Sequence, residues 1–159
     1  MVDKLPAPAR IRALPSWLLG RAATHGRTLV RQALESDGMP MLHHLVLVAI
    51  HEYAPIAQAE LARTVAIDPK DMVAILNALQ TEGLVTRAPD PNDRRKNAIT
   101  LTDAGRHRLT RQEPLVDAAM DALLAPLTPA ERATFTALLT RVVETREHPG
   151  CDTDAGAVS

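Results

Sequence analysis

Arg94, Arg95 and Lys96 put three positive charges side by side between Asp93 and Asn97. Guanidinium groups suit a narrow, electronegative groove and also hydrogen-bond phosphate and base edges, so this run is chemistry for DNA. Read alone, it serves equally as a solvated basic turn. Asp93 is out of place against DNA; pairing with Arg95 would stiffen the turn and leave Arg94 pointing outward. Upstream, Asp68-Pro69 opens a segment carrying Lys70, Asp71 and Asn77, in which Lys70 is the one cation. Asp71 can accept from a cytosine amino group, or it is a solvent-facing charge in a first helical turn. Asn77 can pair with adenine if it faces a groove.

The elements that position these groups follow from periodicity and punctuation. Residues 1–15 hold Pro6, Pro8 and Pro15 and read as irregular, with room for one helical turn around Ile11. Ser16 is expected to cap a helix over 16–36, with Leu18, Ala22, His25, Leu29 and Ala33 at helical spacing. Gly20 and Gly26 permit close approach by another helix. A buried helix runs from Met41 to about Tyr53, and a short one over Gln58–Arg63. Asp68 as N-cap, Pro69 in first position and Gly83 as stop define a helix whose apolar face is Met72, Ile75, Leu76 and Leu79. Two short strands, 84–87 and 98–101, then flank the charged turn as a β-hairpin. Thr102 opens a long helix with Leu109, Val116, Met120, Leu123 and Leu127 as its apolar set, which Pro114 is expected to bend or divide. Thr128, Pro129 and Glu131 spell a capping box for the last helix.

A short helix, a second capped helix and a hairpin with a basic tip are the parts of a winged helix-turn-helix: the second helix for the major groove, the tip for the neighbouring minor groove. The fold class expected is therefore mainly α with a small β-hairpin wing. The expected boundaries are an irregular 1–15, a dimerisation helix at 16–36, the winged helix-turn-helix at 41–101, dimerisation helices at 102–147 and a tail at 148–159.

Composition narrows the choices further. Of 159 residues, 46% are hydrophobic but only 2% aromatic, namely Trp17, Tyr53 and Phe135. The core must be aliphatic, and a stacking platform for single-stranded nucleic acid is excluded. The net charge of −1 conceals +4 over residues 1–111 and −5 over 112–159, so near-neutrality does not exclude a phosphate-binding face. Cys151 is the one cysteine, and the start of the chain lacks an apolar leader. A cytoplasmic protein without a membrane segment is expected.

Asp90-Pro91-Asn92-Asp93-Arg94-Arg95-Lys96-Asn97-Ala98-Ile99-Thr100-Leu101-Thr102-Asp103-Ala104-Gly105 resembles the D-P-x-D-R-R-x-x-x-I-x-L-T-x-x-G wing signature of the MarR family at each fixed position. Leu79 to Arg87 is similar to its L-x-x-x-G-L-V-x-R pattern, and Gln58-Ala59-Glu60-Leu61-Ala62 lies where the family has its supporting helix. The resemblance spans roughly residues 14–147. It implies a homodimeric repressor on a palindromic double-stranded operator, with Arg94 in the minor groove and Asp93 and Arg95 structuring the wing. It also implies N- and C-terminal helices at the dimer interface, and release by a small, often aromatic or phenolic, effector. The stretch from Asp68 to Asn77 departs from the Ser/Thr-rich, Arg-containing pattern of many members, which leaves the operator sequence open.

One wing and one helix make a small footprint, which two-fold symmetry would double. The apolar faces at 18–33 and 116–143 exceed what a single winged unit buries. Arg21, Arg27 and Arg31 beside the first of them would face DNA, pair across a dimer, or solvate the outer face. Polar groups among apolar helices make Trp17, His25, His43, His44 and His51 candidates for an effector pocket. The spacing of His43, His44 and His51 does not put all three on one helical face, so neither metal nor cofactor is expected. No Gly-rich phosphate loop, nucleophile elbow or H-E-x-x-H occurs, and His51-Glu52 lacks its second histidine. No catalytic residues are therefore expected. The alternative is a winged-helix module that binds a protein, suggested by Asp71 and by the acidic C-terminal region.

Overall fold

The computed structural model describes residues 7–89 and 97–144. The chain divides into two compact units, one ending at Leu123 and one beginning at Leu124. The first unit opens with a helical turn, α1 (Ala9–Arg12), followed by α2 (Pro15–Ser36), α3 (Met41–Tyr53) and a short strand, β1 (Ile56–Ala57). Then come α4 (Gln58–Thr64), α5 (Pro69–Thr81), β2 (Val85–Pro89), β3 (Asn97–Leu101) and α6 (Asp103–Leu123). The three strands form an antiparallel sheet in the order β1-β3-β2. The second unit holds α7 (Pro129–Glu144).

Aliphatic side chains make the core of the first unit, as the scarcity of aromatics requires. Leu34, Leu47, Ile50, Leu61, Met72, Leu76, Leu79 and Ile99 are all buried to within 1%. Each such side chain contributes about 1.5–3 kcal/mol relative to exposure. Together they join α2, α3, the α4–α5 pair and the wing base into one cluster. The α4–α5 connection turns sharply at Ala66, whose φ of 52° is the left-handed region. There Ile67 N reaches back to the Ala62 carbonyl at 3.0 Å.

Three expectations need correction. Ser16 does not cap α2; the helix begins at Pro15 with Leu14 before it and no side-chain cap. A proline at the first helical position has its φ preset and no N–H to satisfy, which moves the start one residue upstream. Pro114 does not divide α6, which runs unbroken from Asp103 to Leu123. The carbonyl its ring denies a partner belongs to Thr110; both residues are exposed, so water can take that place. Leu127 is not part of α6, because the helix stops at Leu123 and Leu127 N closes a turn onto the Leu124 carbonyl at 2.9 Å. The expected hairpin is present and is extended by a third strand: Ile56 pairs with Ile99 and Ala57 with Ala98. A two-residue strand is too short to show alternation.

The capping box at α7 is formed. Thr128 N donates to Glu131 Oε2 at 2.8 Å and Glu131 N donates to Thr128 Oγ1 at 3.4 Å. Among the described residues no helix is long and apolar enough to cross a membrane.

Candidate DNA interface and effector cleft

The capping residues set the aim of α5. Asp68 Oδ1 accepts from Lys70 N at 2.8 Å, which satisfies one of the first free donors of the helix, and Pro69 follows as its first residue. Met72, Ile75, Leu76 and Leu79 are buried, so the opposite face is fixed outward. Lys70, Ala74, Asn77 and Thr81 run along the centre of that exposed face at helical spacing. Asp71 is also exposed, but it is rotated about 100° from Lys70, toward the edge.

The wing is anchored at its root. β2 and β3 pair from Val85↔Leu101 to Pro89↔Asn97. Thr86 and Thr100 share a hydrogen bond of 3.0 Å between hydroxyls across the strands. Thr102 ties the root to two helices: its hydroxyl donates to the Gly83 carbonyl at 2.6 Å and accepts from Gly105 N at 3.0 Å. Gly105 is buried against the backbone, and a Cβ there would stand 2.2 Å from the Leu84 oxygen. The final glycine of the wing signature is thus a steric requirement. Arg87 Nε and Nη2 are buried without a hydrogen-bond partner among the described residues. Asp93, Arg94, Arg95 and Lys96 lie outside the described residues.

A second site lies between α3 and α6. His44, Val48 and His51 from α3 face Leu109, Glu113, Val116 and Asp117 from α6 across a cleft of about 420 Å³. His44 and His51 are two turns apart and share a face. The other candidates lie elsewhere. His25 is exposed on α2, and Trp17 is half-buried with the Arg21 guanidinium 5.8 Å from its ring centroid. His43 has its Nδ1 buried without a partner. The α2 arginines make local contacts: Arg27 with Thr24 at 3.3 Å and Arg31 with Glu35 at 3.0 Å. No group of three or more His, Cys, Asp or Glu among the described residues could hold a metal ion.

Behind the cleft is a polar network that the sequence did not reveal. Gln112 is completely buried. Its Nε2 donates to Asp37 Oδ2 at 3.0 Å, and its Oε1 lies 2.9 Å from His44 Nδ1. Asp37, in the turn after α2, also meets Arg111 Nη2 at 2.8 Å and Arg108 Nε at 2.8 Å, the latter as an ion-pair contact rather than an aligned hydrogen bond. The Gln112 hydrogen bond holds the Asp37 carboxyl below its ordinary value; burial opposes this, and the two arginines add to the lowering. The available signal was Gln112 itself, a polar residue three after Leu109 and four before Val116 on an apolar stripe.

The MarR-family model matches residues 37–96, from Asp37 to the last basic residue of the wing. The HTH-type transcriptional repressor Rv2887 of Mycobacterium tuberculosis is 30% identical over 126 residues, which cover 79% of this chain and 91% of that protein. The chain belongs to the MarR family. In that fold α5 is the second helix of the helix-turn-helix and the β2–β3 hairpin is the wing. The HTH-type transcriptional repressor NicR of Pseudomonas putida is 27% identical over 84% of each chain. Among solved MarR-type folds, CouR of Rhodococcus jostii RHA1 bound to p-coumaroyl-CoA superposes with a TM-score of 0.76 at 26% identity, covering 91% of this chain and 99% of that one. CouR bound to a 23-mer DNA duplex superposes with a TM-score of 0.75 at 27% identity, covering 85% and 96%.

Proposed function

We propose that this MarR-family regulator is a homodimeric repressor that binds a palindromic double-stranded operator and releases it when a small molecule enters the α3–α6 cleft. The observation that carries the reading is the outward face of α5, where Lys70 and Asn77 stand over a fully buried opposite face. CouR, of the same fold, binds a DNA duplex in one structure and p-coumaroyl-CoA in another. In the major groove Lys70 takes phosphate, Asn77 reads an adenine edge, and Asp71 at the border accepts from a cytosine amino group. The wing carries Arg94 into the minor groove, with Asp93 and Arg95 bracing it and Lys96 on the backbone.

Apolar surface supports the dimer. Ile11, Leu14 and Leu18 remain about half exposed near the N-terminus, as do Leu138, Val142 and Val143 on α7. Burying such surface in a second copy is favourable. The domain reading follows: 41–101 binds DNA, while 16–36 and 102–147 pair the copies. Action on cytoplasmic DNA and the absence of catalysis belong to the same reading.

Selection of genomic fragments at physiological salt tests it, with footprinting of the retained DNA. A protected palindrome is expected, and Arg94→Ala with Arg95→Ala should weaken binding and flatten its salt dependence. Retention of no fragment by a folded dimer would return the chain to the protein-binding alternative.

A further inference from the structure

The cleft between α3 and α6 offers hydrogen-bond acceptors. Glu113 and Asp117 are carboxylates. His44 is committed by the network behind it. Asp37 is an acceptor, so the Gln112 amide must turn its Nε2 toward it and its Oε1 toward His44. The hydrogen on a neutral His44 ring therefore resides on Nδ1, which leaves Nε2 as a lone pair. His51 can play either role.

Helical geometry separates the cationic groups from the cleft. Gln112 divides two flanks of α6. On one flank Arg108 and Arg111 turn to Asp37; on the other Leu109, Glu113, Val116 and Asp117 line the cleft. No lysine or arginine is among the described lining residues, and Val48, Leu109 and Val116 supply apolar surface.

We infer that the effector of this protein is a donor ligand: an apolar, ring-sized body bearing a cationic nitrogen group such as an ammonium or amidinium, in preference to a carboxylate. The inference rests on the effector reading of the cleft and deepens it by naming the ligand class. The two carboxylates attract the cation from partly solvated positions, and the His44 lone pair takes one of its hydrogens. An anion meets two like charges and no donor other than His51.

Benzamidine, benzamide and benzoate share one ring and a three-atom head of nearly constant size, with charge +1, 0 and −1. Calorimetric titration of each into the full-length protein, without DNA, should give the order benzamidine, benzamide, benzoate, with about tenfold between the ends. Benzamidine should shift the side-chain nitrogen signals of His44, which in the free protein should show hydrogen on Nδ1. The double variant Glu113→Gln, Asp117→Asn should remove most of the preference while its unfolding curve stays near wild type. Benzoate binding as tightly as benzamidine, a preference that survives the double variant, or no benzamidine binding at millimolar concentration would each overturn the inference. A separate titration with selected operator present reads the coupling to DNA. If benzamidine binds but leaves DNA affinity unchanged, the release mechanism fails while the ligand class stands.

Discussion

Gly105 lies so close beneath Leu84 that a Cβ on it would stand 2.2 Å from the Leu84 carbonyl oxygen. The obstacle is backbone, so no rotamer change relieves it. Gly105→Ala should destabilise the first unit by about 1–3 kcal/mol and displace the wing root. Urea unfolding measures the first effect. DNA affinity falling by more than the lost folded fraction would report the second. Wild-type stability would disprove the close approach.

Ala66 holds a left-handed conformation without being glycine. Replacing it by glycine removes the Cβ cost but widens the unfolded ensemble, and the first effect is the larger. Ala66→Gly should raise stability by about 0.5 kcal/mol. A fall in the urea midpoint would mean that the α4–α5 turn gains more from the methyl group than its conformation loses.

The Asp37 cluster should show in acid. Gln112, then Arg111 and Arg108, lower the folded-state value of the carboxyl. A lowered folded value makes the stabilisation complete above the unfolded value of about 3.9, and it is lost as pH falls through the folded one. Asp37→Asn should therefore cost about 2 kcal/mol at neutral pH. That difference should shrink steadily as the pH drops below the ordinary aspartate range. A difference that stays constant through acid unfolding would show that the cluster acts by packing alone.

Lys70 and Asn77 should separate by salt. Lys70→Ala is expected to weaken all DNA about equally and to lower the salt slope by about one. Asn77→Ala should cost about 1–3 kcal/mol at one base pair and leave the slope alone. Binding assays across a salt series, on the operator and on single-base variants, distinguish the two. Equal effects on every sequence from Asn77→Ala would remove it from base reading.

What could be read ahead of the structure was local. Asp68, Pro69 and Gly83 bound α5 by chemistry within one turn, and Thr128 and Glu131 do the same at the start of α7. Where two local rules competed, at Ser16 and Pro15, the proline prevailed. Leu127 keeps helical spacing with Leu123, but nothing in that spacing says that the helix has ended. β1 and the Asp37–Gln112–His44 network stayed hidden because their partners are distant in sequence. Ile56 meets Ile99, and Asp37 meets Gln112, only after the chain has folded back. The cleft was partly legible: His44 and His51 were two of five candidates, whereas Glu113 and Asp117 were not singled out.

The Thr102 hydroxyl bridges the Gly83 carbonyl, just past the end of α5, and Gly105 N, in the first turn of α6. With Gly105 pressed on Leu84, it ties the end of α5 to the start of α6, whose later turns line the cleft. Glu113 is eight residues farther along α6, about 12 Å at 1.5 Å per residue. α6 thus joins the wing root to the cleft as one unbroken helix. A tilt of α6 on ligand binding would therefore pass to α5 through the wing root.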